Sequence, residues 1–276
     1  MAAEADRTNP EAPAAEPGAA RTLAISFAVC AGCAALVSAS VVLLRPLQFA
    51  NQRGAREARV RSLVEGIPGL SEWATGAEGA TFELRAVELA TGGYASDADP
   101  EALLRGTALL RGEGEGAQGE ALPPDQDPAG VGSVPRVAPV YELRRAGRVH
   151  TVILPVHGRG YVSQIRGHLA VAGDGNTIRG ITISEHQETP GLGAEIERPE
   201  WQQRWQGKRL RDEEDRVRIR VVRDAPSADS AEAAFEVQGI SGATRTGDGI
   251  SELVRFWVGP KGFGSYLARL REGGDR

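Results

Sequence analysis

Ser241, Thr244 and Thr246 stand in the run GISGATRTGDG, residues 239 to 249, which also holds four glycines. Hydroxyls on so bare a backbone suit three kinds of chemistry: a polar loop entering a helix, a cradle in which main-chain N–H groups hold a phosphate, or an oxygen to which a group is covalently joined. A second unusual run, HQETPGLGAEI at 186 to 196, places Pro190, Gly191 and Gly193 after a strand-like stretch. Backbone that comes this close to the surface can meet a planar or anionic ligand with its own N–H groups. A plain strand-to-helix connection fits the same run equally well.

Other chemistries find less support. His150, His157, His168 and His186 are not paired at metal-ligand spacing, and GISGA lacks the G-x-S-x-G spacing of a nucleophile elbow. The formal charge of −5 and pI near 5.6 provide no basic face, which argues against nucleic acid as a partner. Both cysteines, Cys30 and Cys33, fall in an apolar segment as CAGC among small residues, where helix packing explains them. The chain beyond Cys33 has no thiol, so disulfides, cysteine nucleophiles, thiolate metal sites and a thioether-bound flavin are excluded there.

The elements that must position these residues follow from patterning. Residues 1–21 are rich in Ala, Pro and Glu without periodicity and read as a disordered tail. Residues 22–44 carry no charge between Arg21 and Arg45, and at 1.5 Å per residue they span roughly 34 Å, enough for a transmembrane helix. A charged juxtamembrane helix follows over 45–65, and residues 66–276 form the main domain.

Within that domain TFELRAVEL, VYELRR, RVHTVILPVH and RVRIRVVR read as strands, and HLAVAGDGNTIRGITISEH reads as a hairpin turning at Asp174-Gly175. ERPEWQQRWQ predicts a short helix, Gly249 to Val258 begins a C-terminal helix, and FGSYLARLR makes another. GEGEGAQGEALPPDQDPAG, at 112 to 130, reads as a solvated acidic loop. Strands in runs with irregularly interspersed helices give an α+β fold class.

Taken together, DGNTIRGITISEHQETPGLGAEI, RPEWQQRWQGK, GISGAT and FWVGPKGFGSYLARLR resemble the C subunit of the sodium-translocating NADH:quinone oxidoreductase, over most of 140 to 272 and the N-terminal anchor. The resemblance implies a single transmembrane helix followed by an extracytoplasmic FMN-binding domain. It implies FMN joined by a phosphoester to Thr244, the last residue of S-G-A-T, with Ser241, Gly242 and Ala243 in the same loop. It also brings Glu188, Thr189, Gly191, Leu192 and Gly193 of the E-T-P-G-L-G turn to the cofactor. Thr246, two residues after Thr244, reads as a cap for the following helix. Gln238 stands where the family usually has an acidic residue, and Val162 where it often has an aromatic one.

The function so implied is electron transfer within a sodium-pumping membrane complex, with the other subunits and a flavin transferase as partners. The place implied is the bacterial inner membrane, with the main domain on the periplasmic side. Charge argues the other way on sidedness. Arg45, Arg53, Arg56, Arg59 and Arg61 follow the apolar segment, against Arg7 and Arg21 before it; we follow the resemblance. The G subunit of the related ferredoxin:NAD oxidoreductase complex shares the anchor, the turn and the flavinylated threonine, and an anchored binding module without redox function is a third reading.

Overall fold

The computed structural model describes residues 18, 21, 23–34, 80–105, 119–227 and 229–273. The chain divides into two compact units, Met1–Arg59 and Val60–Arg276. In the first, residues 23–34 are helical. Among the described residues no helix is long and apolar enough to cross a membrane; residues 35–44 of the expected span lie outside them, as do nearly all of the tail and the whole juxtamembrane helix.

The second unit is built on a five-stranded antiparallel sheet of β1 (Ala80–Glu88), β4 (Val137–Arg145), β5 (Arg148–Arg159), β6 (Gln164–Ala172) and β7 (Ile178–Glu185), paired in that order. Short strands β2 (Gly119–Ala121) and β3 (Ser133–Pro135) pair with each other, and β8 (Arg220–Val222) runs parallel to β9 (Glu236–Gln238). Among the described residues of this unit the helices are α1 (Pro100–Arg105), α2 (Pro199–Gln202), α3 (Thr244–Val258) and α4 (Gly264–Arg271). This mixture of a large antiparallel sheet, two small two-stranded sheets and separate helices is the expected α+β architecture.

The long strands form where apolar residues alternate or run continuously. On β4, β5 and β6 the residues Val140, Val152, Leu154, Val156, Leu169 and Val171 enter the main core, while Tyr141, Leu143 and Ile153 are buried outside that cluster. The central strands are thus covered on both faces, which explains the uninterrupted run TVILPV in β5. Helix α3 lays Ile250, Leu253, Val254 and Trp257 into the core and packs on β5 and β8. Trp257 Nε1 donates to the His157 carbonyl at 2.7 Å, and the two rings stand 4.9 Å apart.

Three expectations are corrected in detail. Helix α3 starts at Thr244, not Gly249; a Cβ at Gly249 would lie 2.6 Å from the Arg159 carbonyl oxygen, so this glycine permits close packing on β5 and does not start the helix. In RVRIRVVR only Arg220–Val222 is a strand, because the preceding residues form a tight turn with Asp215 at φ 60° and Asp212 holding Arg216 and Arg218. The run from 112 to 130 is not wholly loop. It contains β2 and a 3-10 turn at Pro124–Gln126, and it buries Ala129; residues 112–118 lie outside the described set.

Candidate flavin site

The strand β9 leaves the sheet at Gln238 and the chain turns through Ile240–Ala243, where the Ala243 N–H donates to the Ile240 carbonyl at 3.0 Å. Gly242 occupies the third position of this turn with φ 80°, the left-handed value of a type II turn. Ala243 then serves as N-cap with no side-chain hydrogen bond, and Thr244 is the first residue of α3. The N–H groups of a helix's first turn have no partner within the helix, and here no side chain supplies one. Thr244 itself is exposed, as are Ser241, Gly242 and Arg245, whereas Thr246 is 2% exposed.

The second run makes a matching turn. In Thr189–Leu192 the Thr189 carbonyl accepts from the N–H groups of Leu192 and Ala194, both at 3.1 Å, with Pro190 second and Gly191 third at φ 72°. The two turns meet. A Cβ built on Gly242 would lie 3.1 Å from Leu192 Cδ2, and one on Gly193 would lie 2.6 Å from Thr246 Oγ1. Two runs separated by about fifty residues of sequence therefore form one surface.

Glu188 ties this surface together. It is 3% exposed, and Thr246 Oγ1 donates to its Oε2 at 2.7 Å. Its Oε1 accepts from the backbone of Val162 at 2.9 Å and of Ser163 at 3.0 Å, at the tip of the β5–β6 hairpin. Burial acts to raise the Glu188 pKa, but the hydrogen bonds from Thr246, Val162, Ser163 and Tyr161 outweigh it and hold the carboxyl below its ordinary value. Glu188 thus joins hairpin, turn and helix from inside; its oxygens face protein donors and not the open surface. Thr246, expected as a helix cap, instead donates to Glu188, because a third-position side chain of α3 points into the junction.

Two residues that sequence reasoning did not place in the site border it. Tyr161 is 54% exposed at the hairpin tip, and the Arg245 guanidinium lies 5.2 Å over its ring. Val162 is 56% and Leu192 43% exposed, so large apolar side chains stand in solvent at the hairpin tip and on the facing turn. An open groove of about 380 Å³ begins at Ser241 and runs past Gln238 toward Trp201 and Arg204. No metal-binding group of His, Cys, Asp or Glu is present among the described residues.

The donor set fits a flavin phosphate: an exposed hydroxyl at the start of an uncapped 15-residue helix, a bare glycine two residues before it and a cation beside it. Residues 160–259, which contain all of these groups, match the family model described as the FMN-binding domain. The fold and site therefore define an FMN-binding protein. Over 259 residues the chain is 34% identical to the C subunit of the Na(+)-translocating NADH-quinone reductase of Pseudomonas aeruginosa, covering 92% of this chain and 96% of the relative. To the same subunit of Yersinia pestis it is 36% identical over 257 residues, covering 92% and 93%. The crystal structure of Shewanella oneidensis NqrC superimposes with a TM-score of 0.64 at 27% identity, over 79% of this chain and 98% of that one. The chain belongs to the family of Na(+)-translocating NADH-quinone reductase C subunits, which decides between the two flavoprotein readings.

Proposed function

We propose that this chain is the electron-transfer subunit of a sodium-translocating NADH:quinone reductase, carrying FMN on Thr244 through a phosphoester. Bound FMN supplies the redox chemistry, accepting electrons and passing them on, while the protein supplies position and electrostatics. What carries the reading is the placement of Thr244, an exposed hydroxyl leading an uncapped helix inside a region matching the FMN-binding domain. Ser241 and Gly242 form the turn that exposes it and Ala243 joins that turn to the helix. Thr189, Gly191, Leu192 and Gly193 form the facing turn that borders the cofactor. Glu188 holds the parts in register.

The partners follow from the family: the other subunits of the complex, and a flavin transferase that joins the FMN phosphate to the threonine oxygen. Residues 22–44 anchor the chain in the bacterial inner membrane as a single helix, and the main domain faces the periplasm. That side is where the transferase of the family works. With one spanning segment the chain has no ion path of its own and depends on its partners for sodium movement.

After co-expression with the transferase, a fluorescent band on a denaturing gel is expected for the wild type, is absent in Thr244→Ala, and persists in Thr246→Ser. Peptide mass mapping that finds the FMN phosphate on Ser241 or Thr246 overturns the assignment.

A further inference from the structure

Arg245 is oddly placed for a residue whose only task is to begin a helix. The positive end of the helix dipole disfavours a cation in the first turn, and the first turn of α3 contains no acidic residue to offset it. Its guanidinium makes no ion pair with a described carboxylate; its partner is the face of Tyr161, at 5.2 Å. Many other arginines of this domain, among them Arg144, Arg166, Arg218 and Arg220, are matched to carboxylates. An exposed cation stacked on an exposed ring, next to an exposed hydroxyl, is a charge held ready for an anion.

We propose that Arg245 is the counter-cation of the flavin phosphodiester. This rests on Thr244 being the acceptor. Joined to the flavin on one side and to Thr244 Oγ1 on the other, the phosphate keeps one negative charge at the helix's first residue. Arg245 follows in sequence, and its long side chain and planar fork suit two phosphate oxygens at once. Tyr161 holds that fork over the mouth of the site, so little side-chain freedom is left to lose when the anion arrives. Arg245 is in this sense a positioning residue: it fixes the phosphate end of the cofactor and has no part in electron transfer.

The test compares the wild type, Arg245→Gln and Arg245→Lys, each made without the flavin transferase and as the separated flavinylated fraction, by melting temperature at low and high salt. Without flavin, Arg245→Gln is expected to melt within about 2 °C of the wild type, since the stacking lost is offset by relief at the helix terminus. Attachment of FMN is expected to raise the melting temperature of the wild type and of Arg245→Lys by more than that of Arg245→Gln, and the excess shrinks between about 0.05 and 1 M salt. An equal rise in all three proteins, or an excess that salt does not change, overturns the proposal. A wild type with no flavin on Thr244 overturns the acceptor assignment and this proposal together, whereas a flavinylated wild type with equal rises overturns this one alone.

Discussion

Thr246 Oγ1 donates to Glu188 Oε2 at 2.7 Å across 58 residues of sequence, and both side chains are almost fully withdrawn from water. Replacing Thr246 with Val keeps the shape and removes the donor, which leaves a buried carboxylate oxygen short of one bond at a cost of about 1–3 kcal/mol. At about 2–4 °C per kcal/mol for a domain of this size, the loss is visible in thermal unfolding, and Thr246→Ser recovers most of it. Because the folded Glu188 pKa lies below the ordinary 4.5, its stabilisation is complete above that pH and fades as pH falls through the lowered value. The gap between wild type and Thr246→Val is therefore expected to narrow in acid, as read from denaturant midpoints between pH 7 and pH 3.

His157 gives a second, separable pH response. Burial first, and then the charge of Arg166, lower its pKa from 6.5 to about 4, against the opposing pull of Asp127 and a hydrogen bond with the Val131 backbone. Its Nδ1 is buried without a partner. The unfolded chain binds the proton that the folded one refuses, so stability is full above pH 6.5 and declines as pH falls toward 4, by about 3 kcal/mol. His157→Gln is expected to flatten the stability profile in that window; an unchanged slope assigns it to other groups.

Gly193→Ala and Gly191→Ala separate two uses of glycine in one turn. The added carbon at 193 would press on Thr246 Oγ1 and on Glu188, so the junction must open, and loss of covalent flavin is expected along with a lower melting temperature. At 191 nothing lies within 4 Å, and only the left-handed backbone resists, at about 1 kcal/mol. Flavin fluorescence on a gel, set beside a melting curve, should show attachment lost in the first variant and retained in the second.

Sidedness is read with a single thiol. Glu120 is exposed on β2, and the chain beyond Cys33 has no cysteine. With both native cysteines changed to Ala, Glu120→Cys in intact spheroplasts is expected to react with a membrane-impermeant maleimide. Labelling only after lysis would put the domain in the cytoplasm, as the arginines after the apolar segment suggest.

The sheet was legible because its strands carry their own pattern: β5 and the Asp174-Gly175 hairpin are set by local apolar runs and turn residues. Proximity of the two glycine-rich runs was visible only through family likeness, since no local rule brings residue 193 to residue 246. Glu188 illustrates the remaining gap. A glutamate beside a Pro-Gly turn reads as a surface residue until the hairpin tip and α3 close over it, and burial of that kind is a tertiary fact. The early start of α3 was hidden for a similar reason, because Gly247 and Gly249 argue against a helix that packing on β5 stabilises.

Glu142 accepts hydrogen bonds from Tyr94 at 2.7 Å and Tyr266 at 2.5 Å, and Ser265 donates to the Ala90 carbonyl at 3.2 Å. The loop after β1 and the start of α4 are thus fastened together across 175 residues of sequence. Such a contact closes a very long loop and contributes nothing until most of the domain exists, so it belongs to the end of folding and not to its nucleus. Once formed it couples the loop after β1 to α4. Amides around Leu89 and Leu267 are expected to exchange with solvent at a common rate, opening as one cooperative piece while the central hairpin stays protected.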